Sequence, residues 1–238
     1  MAKPILKLAR VHTNIAQYQI LRGIDLEVPE GDVTMLMGRN GAGKTTTVRT
    51  IMGLWRASQG TIEFDTHDIT SSPTPAISRL GIAYIPENMG IFTQLTVYEN
   101  ILLGSQRNLI DEERLEWIFE RFPAMKNSIN LPAGNLSGGQ KQMLCVARAL
   151  IEPRRLILID EPSKGLAPSM VNELIELFLE LKEKKTSILL VEQNFHLAKS
   201  VGTHLVIIDD GQSVYKSSME ELVGNQELQN RYLGLNIE

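Results

Sequence analysis

A glycine-rich loop between a buried strand and a helix constrains this chain more than any other feature. Residues 33–37 are apolar enough for a short buried strand, and residues 44–52 predict a helix that ends near Gly53. The string between them fits the pattern G-x-x-x-x-G-K-[ST] and consists of Gly38, Arg39, Asn40, Gly41, Ala42, Gly43, Lys44, Thr45 and Thr46. Glycine lets such a backbone curl with its N–H groups towards phosphate oxygens, and the helix N-terminus adds positive charge. The loop therefore predicts binding of a nucleoside triphosphate, with Lys44 on the β- and γ-phosphates and Thr45 on Mg²⁺.

A second feature is an apolar strand that ends in two carboxylates. Residues 156–159 precede Asp160 and Glu161, which places both acids at the C-terminal end of a strand, where open α/β sheets build their sites. There Asp160 would hold Mg²⁺, directly or through water, and Glu161 would act as the general base on the attacking water. Acidic strand ends are common in proteins, so this feature alone is weak evidence for a nucleotide site.

The third feature is a rarer string that begins a helix. It consists of Leu136, Ser137, Gly138, Gly139 and Gln140. Ser137 suits the N-cap of a helix that carries Met143 and Leu150 on its apolar face. The N-terminus of such a helix attracts anions. Ser137 lies far downstream of Lys44, which leaves open whether both contact one nucleotide.

Together and in this order, the three strings resemble those of the nucleotide-binding subunits of ATP-binding cassette (ABC) transporters, over nearly the whole chain. The resemblance implies an α/β fold with a P-loop (RecA-like) core, an antiparallel β subdomain and an inserted helical subdomain. Residues 1–238 would form a single nucleotide-binding domain, with the core at 1–87 and 155–238 and the helical insert at about 88–154. The resemblance also implies ATP and Mg²⁺ as ligands. In this family two cassettes pair head to tail, so that residues 136–140 would serve the ATP of the partner subunit.

Periodicity gives the local structure. Apolar and polar residues alternate over 5–11 and 21–28, which predicts antiparallel strands with one buried face. Short apolar runs predict further strands at 82–86, 186–191 and 204–208. Thr96 and Glu99 form a capping-box pattern and predict the start of a helix. The turn sequence 209–212 predicts a hairpin, and the tail from about residue 218 predicts one short helix.

Four accessory positions differ from the commonest residues of the resembled family. Glu87 stands where most cassettes have glutamine, and it would bind Mg²⁺ or the attacking water. Gln193 replaces the usual histidine, and its amide can donate a hydrogen bond to a γ-phosphate oxygen without carrying charge. Ala167 replaces an aspartate. Ile15 occupies the position of an aromatic side chain that stacks on adenine, with Tyr18 three residues away.

These departures resemble one branch of the family, the smaller ATPase of branched-chain amino acid importers. The strings that carry this resemblance are Pro-Glu at 86–87, Ser-x-Gly-Leu-Ala-Pro at 163–168 and Val-Glu-Gln-Asn at 191–194. It implies an ATPase that powers the uptake of branched-chain or other hydrophobic amino acids. The implied partners are a second, non-identical ATPase subunit, two transmembrane permease subunits and a periplasmic or extracellular solute-binding protein. Importers of urea and short-chain amides use close relatives, and their cargo is the alternative.

Composition and hydropathy limit the partners and the cellular compartment that we expect for this chain. A net charge of −4 argues against a nucleic-acid partner. The N-terminus lacks the apolar stretch of a secretion signal, and no apolar run approaches the ~18 residues that span a bilayer. The single cysteine, Cys145, fits a reducing compartment. We therefore expect a peripheral protein at the cytoplasmic face of the inner (plasma) membrane.

A cassette ATPase that acts on DNA or ribosomes is the alternative from a different class. A cassette of DNA repair would carry a long coiled coil between the glycine loop and residues 136–140, and the interval here is too short for one. A cassette protein of translation would usually hold two cassettes in one chain, and this chain holds one.

Overall fold

The computed structural model describes residues 3–106 and 109–233, with only the backbone for Leu233. Its strands form two sheets. The smaller sheet is antiparallel, and apolar residues at alternate positions of its long strands, such as Leu6 and Leu26, are fully buried. Its strands, in spatial order, are β2 (Tyr18–Pro29), β1 (Pro4–Ile15), β4 (Ala57–Phe64) and β5 (His67–Asp68).

The larger sheet is parallel except at one edge. In spatial order its strands are β10 (Gln212–Ser218), β9 (His204–Asp209), β3 (Val33–Met37), β8 (Ser187–Val191), β7 (Leu156–Asp160) and β6 (Ile82–Ile85). Only the β9–β10 hairpin is antiparallel among these pairs. Strands β3, β7 and β8 are buried along their whole length, as parallel strands covered on both faces are. The loops after these three strands therefore meet at one edge of the sheet.

Helices complete two apolar cores, one on each face of the larger sheet. Met35 and Met37 of β3 belong to one core, and Leu36 belongs to the other, which it shares with the antiparallel sheet. This alternation follows from the period of two along a strand. The helices of this part of the chain are α1 (Lys44–Ile51), α2 (Thr74–Arg79), α7 (Pro168–Glu183), α8 (Phe195–Val201), α9 (Met219–Gly224) and α10 (Gln226–Leu233).

A lobe of helices lies between β6 and β7 in the chain. It consists of α3 (Val97–Leu102), α4 (Glu112–Arg121), α5 (Pro123–Asn127), a 3₁₀ turn (Ala133–Asn135) and α6 (Gly138–Leu150). Reciprocal hydrogen bonds between Thr96 and Glu99 close the capping box at α3. Ser137 and Gln140 make the same arrangement at α6, so both predicted helix starts are confirmed.

The predicted fold class is confirmed: an α/β core, an antiparallel β subdomain and a helical subdomain. The prediction of one short helix in the tail is wrong. The Asn225 side chain accepts a hydrogen bond from the N–H of Leu228 and begins a second helix there. The exact division of the chain at 88 and 154 stays a prediction. No helix within residues 3–106 and 109–233 is long and apolar enough to cross a bilayer.

Candidate active site

A cleft of about 800 Å³ opens at the edge of the larger sheet where β3, β7 and β8 end. The loops after these strands supply Lys44, Glu161 and Gln193 to its wall, and the segment after β6 supplies Glu87. The topology thus brings together side chains that are far apart in the sequence. Of the predicted phosphate-binding loop, the residues that line the cleft are Asn40, Gly41, Gly43, Lys44, Thr45 and Thr46.

The glycine loop wraps around the Lys44 side chain. Lys44 is 5% exposed, and its Nζ donates hydrogen bonds to the carbonyl oxygens of Gly38 at 2.9 Å and Arg39 at 3.0 Å. Burial lowers the pKa of Lys44, while the charges of nearby carboxylates oppose that shift. A phosphate oxygen is a stronger acceptor than a neutral carbonyl. The loop therefore holds the ammonium group on two carbonyl oxygens, which a phosphate oxygen could replace as acceptors.

Only glycine fits at the first position of the loop. Gly38 has φ of 146°, and a Cβ atom there would lie 2.1 Å from the carbonyl oxygen of Ile208 in β9. The close approach fixes the start of the loop against the neighbouring strand.

Asp160 is fully buried and bridges three elements of the fold. Its Oδ1 accepts a hydrogen bond from Thr45 Oγ1 at 3.1 Å, and its Oδ2 accepts one from the Tyr84 hydroxyl at 3.5 Å. Burial raises the pKa of Asp160 to about 6; the negative charge of Glu161 adds to this shift, and the Thr45 hydrogen bond opposes it. Burial also raises the pKa of Tyr84 to about 12, so its hydroxyl remains a donor.

The chemistry of these donors fits Mg²⁺. This cation takes oxygen ligands and is usually held by one or two carboxylates together with substrate phosphates and water. Thr45 Oγ1 and Asp160 Oδ1 are such oxygens, and they lie 3.1 Å apart beside the loop. No group of three or more His, Cys, Asp or Glu side chains forms a metal site in the described part of the chain. Phosphates and water would therefore supply the remaining ligands.

Glu161 adopts a left-handed backbone conformation, with φ of 48°. Its N–H donates to the carbonyl oxygen of Val191 at 2.9 Å, which holds it against the end of β8. The Oε1 atom of Glu161 accepts a hydrogen bond from Gln193 Nε2. Non-glycine residues in this region of backbone space cost free energy and concentrate at functional sites. The predicted base and the predicted γ-phosphate sensor thus contact each other directly.

Glu87 is paired with Lys164, a residue that the sequence did not single out. Lys164 Nζ lies 2.6 Å from Glu87 Oε1 and 3.8 Å from Glu161 Oε2. The hydrogen bond and the charge of Glu87 raise the pKa of Lys164. The lysine therefore partly neutralises the two acids in the cleft.

The structure places two of the predicted groups outside the cleft. Ile15 is at the end of β1 opposite Tyr18 and is absent from the described lining of the cleft, which includes Ile20. Residues 136–140 begin α6 and are absent from the described lining of the cleft; Ser137 and Gly138 are exposed. One chain thus does not bring its own glycine loop and its own 136–140 string together.

Tyr84, Lys164 and Glu192 bond to groups of the site, and the sequence did not predict them as site residues. Tyr84 occupies a strand position that reads as core, and Lys164 stands in a polar loop. One feature of the sequence could have indicated a site role for Glu192: it is an acid directly after a buried strand. Its burial, at 3% exposure, follows from contacts that no local pattern encodes.

Known proteins share these features. Residues 21–164 match the family of ABC transporters. The branched-chain amino acid transport ATP-binding protein BraG of Pseudomonas aeruginosa is 33% identical, over 97% of this chain and 100% of that protein. The lipopolysaccharide export system ATP-binding protein LptB of Haemophilus influenzae is 31% identical, over 91% of each chain.

Among solved structures, an ATP-binding cassette of an ABC transporter in its ADP conformation superposes with a TM-score of 0.80. It is 26% identical and covers 98% of this chain and 100% of its own. The glycine loop, the acidic strand end and these matches agree on one assignment. This chain belongs to the ABC transporter family, as an ATP-binding subunit with ATPase activity.

Proposed function

We propose that this chain powers an importer of branched-chain or other hydrophobic amino acids. The observation that carries the proposal is the match to BraG, which extends over nearly the whole of both chains. The departures at Glu87, Ala167 and Gln193 support it, because they resemble the same branch of the family.

The geometry of the cleft supports specific roles in hydrolysis. Lys44 exchanges the carbonyl oxygens of Gly38 and Arg39 for phosphate oxygens of ATP. Glu161 accepts the proton of the attacking water, and Gln193 orients the carboxylate through its hydrogen bond to Oε1. The Gln193 amide carries two N–H donors, so one would remain on Glu161 while the other donates to a γ-phosphate oxygen.

Thr45 and Asp160 would hold Mg²⁺, and Glu87 is a further candidate. The cation supplies positive charge that offsets the charge of the phosphates during transfer. It would also stabilise the ionised form of Asp160, a form that burial disfavours in the chain alone.

A second cassette would complete the site. Ser137 and Gly138 are exposed and outside the cleft of their own chain, which supports contact with the ATP of a partner subunit. The branch resembled usually pairs two different ATPase subunits. Closure of the pair on ATP, followed by hydrolysis, would drive the permease subunits, with an extracellular or periplasmic binding protein delivering the solute.

The helical lobe, about 88–154, offers a surface for the permease. Exposed apolar side chains lie on it after Glu87, at Phe92, Tyr98 and Leu103. Scattered apolar side chains are normal on a surface, so these three support docking only together with the permease contact that the family resemblance implies. Such docking would hold the subunit peripherally at the cytoplasmic face of the membrane.

Two cargo alternatives remain testable. Urea or a short-chain amide is one, and the likeness to the lipopolysaccharide export protein LptB suggests export of lipopolysaccharide as the other. A role on DNA or ribosomes has less support, because BraG is named for amino acid transport and LptB for lipopolysaccharide export.

The raised pKa of Asp160 predicts a pH dependence of stability. At Asp160 the folded chain holds more of a proton than the unfolded chain between the ordinary carboxyl value of 3.8 and about pH 6. The contribution of Asp160 to the free energy of unfolding therefore falls as pH rises through this window. Asp160→Asn lacks the effect, so the variant should gain on the order of 2–3 kcal/mol over the parent between pH 4 and 7. Denaturant unfolding without nucleotide or divalent cation measures it, and a difference that does not change with pH contradicts it.

Gln193 offers a test of the roles in the cleft. Gln193→Ala removes the donor to Glu161 Oε1 but leaves the glycine loop intact. We expect turnover at saturating ATP to fall by roughly tenfold to a hundredfold, with ATP affinity nearly unchanged. Gln193→His should retain much of the activity and add a titration near pH ~6.5. An alanine variant as fast as the parent would show that another group senses the γ-phosphate.

The cargo is tested in liposomes that contain the permease, both ATPase subunits and the binding protein. We expect ATP-dependent uptake of labelled leucine, isoleucine or valine, and Lys44→Ala should stop it because the main cation at the γ-phosphate is lost. Lys199→Ala, an exposed lysine on α8, is the matched control and should keep full uptake. Uptake of urea or an amide without uptake of these amino acids would overturn the assignment of cargo.

A further inference from the structure

Glu192 lies directly after β8 and is 3% exposed, although it belongs to neither the glycine loop nor the acidic strand end. Its carboxylate accepts hydrogen bonds from three backbone N–H groups. Oε1 accepts from Ser163 at 3.1 Å. Oε2 accepts from Gln193 at 2.6 Å and from Asn194 at 2.8 Å. One buried side chain is thus bonded to two different loops of the cleft.

These two loops carry the groups proposed for hydrolysis. Ser163 is two residues after Glu161, in the loop that leads to α7, and α7 begins at Pro168. Gln193 is the proposed γ-phosphate sensor, and Asn194 caps α8 by accepting from the N–H of Leu197 at 3.2 Å. A shift of either loop would therefore stretch a hydrogen bond to the same carboxylate.

We propose that Glu192 is a positioning residue that couples the loop after Glu161 to the Gln193 loop, so that base and sensor move together. The proposal rests on the roles given to Glu161 and Gln193 above. The backbone already joins the two strand ends through the Glu161 N–H and the Val191 carbonyl. Glu192 extends this link past the strand ends, to Ser163 in one loop and to Gln193 and Asn194 in the other.

The distribution of its hydrogen bonds indicates that Glu192 couples the two loops rather than only stabilising the fold. A charged acceptor makes stronger hydrogen bonds than a neutral one, and burial strengthens them further. Oε1 bonds the loop after Glu161 and Oε2 bonds the loop that carries Glu192 itself, so a displacement of one loop relative to the other would strain the bonds of the same carboxylate. A residue that only filled space at this position would need no charge, and burial of an unpaired carboxylate would cost free energy.

Glu192→Gln separates the two contacts. The amide of glutamine has one acceptor oxygen and one N–H₂ group. Its better orientation keeps the oxygen on Gln193 and Asn194, since that preserves two bonds, and turns the N–H₂ group towards the Ser163 N–H. The variant should therefore release the loop after Glu161 and retain the Gln193 loop. Glu192→Ala should release both.

Hydrogen–deuterium exchange on the full chain measures the separation. In Glu192→Gln we expect exchange at the Ser163 amide to rise by roughly tenfold to a hundredfold, with Gln193 and Asn194 unchanged. In Glu192→Ala all three amides should exchange faster. Glu176→Gln, an exposed glutamate on α7, is the matched control and should change none of them. Equal protection of Ser163 in the parent and in Glu192→Gln would overturn the proposal.

Turnover in the assembled transporter tests the coupling itself. We expect Glu192→Gln to lower kcat by at least roughly tenfold, with the Kd for ATP within about twofold of the parent. Combined with Gln193→Ala, it should cost less than the product of the two single effects, because both act on one unit. Faster exchange at Ser163 with unchanged kcat, or fully multiplicative effects, would overturn the coupling. Failure of the roles of Glu161 and Gln193 would look different, since Gln193→Ala alone would then leave kcat unchanged.

Discussion

The hydrogen bond between Thr45 and Asp160 joins the first turn of α1 to the end of β7, and the cleft depends on that junction. It sets the glycine loop beside the acidic strand end, although the two are separated in the chain by the whole helical lobe. The parallel pairing of β7 with β8 then adds Gln193 from the next strand end. Because β3, β7 and β8 are buried on both faces, these positions are fixed by the core.

The electrostatics of the cleft favour a cation and a triphosphate together. Asp160 is buried with a pKa raised to about 6, and Lys44 is buried with its ammonium group on neutral carbonyl oxygens. Both groups are thus held in environments that disfavour their charged forms. ATP with Mg²⁺ would supply the missing opposite charges to both. Lys164 relieves part of the repulsion between Glu87 and Glu161 at the mouth of the cleft.

Short sequence patterns predicted those parts of the structure that depend on neighbouring residues in the chain. The glycine loop, the strand ending at Asp160 and the helix starts at Thr96 and Ser137 could be read from short strings, because backbone geometry and capping restrict the residues there. Strand β4 was missed because only Ile62 and Phe64 of its residues are buried. Glu192 could not be assigned a role, because its bond to Ser163 depends on where two loops meet. The path of β2, which brings Ile20 to the lining of the cleft, likewise could not be predicted from a local pattern.

If this cleft holds ATP while the 136–140 string serves the nucleotide of a partner, one structure of the assembled transporter should show both contacts. Cryo-electron microscopy with Glu161→Gln in this chain and ATP–Mg²⁺ added would provide it. We expect a γ-phosphate within hydrogen-bonding distance of Lys44 Nζ and Gln193 Nε2, and Ser137 on the nucleotide bound by the partner cassette. ATP held by Lys44 and Ser137 of the same chain, or an empty cleft at saturating ATP, would refute this arrangement.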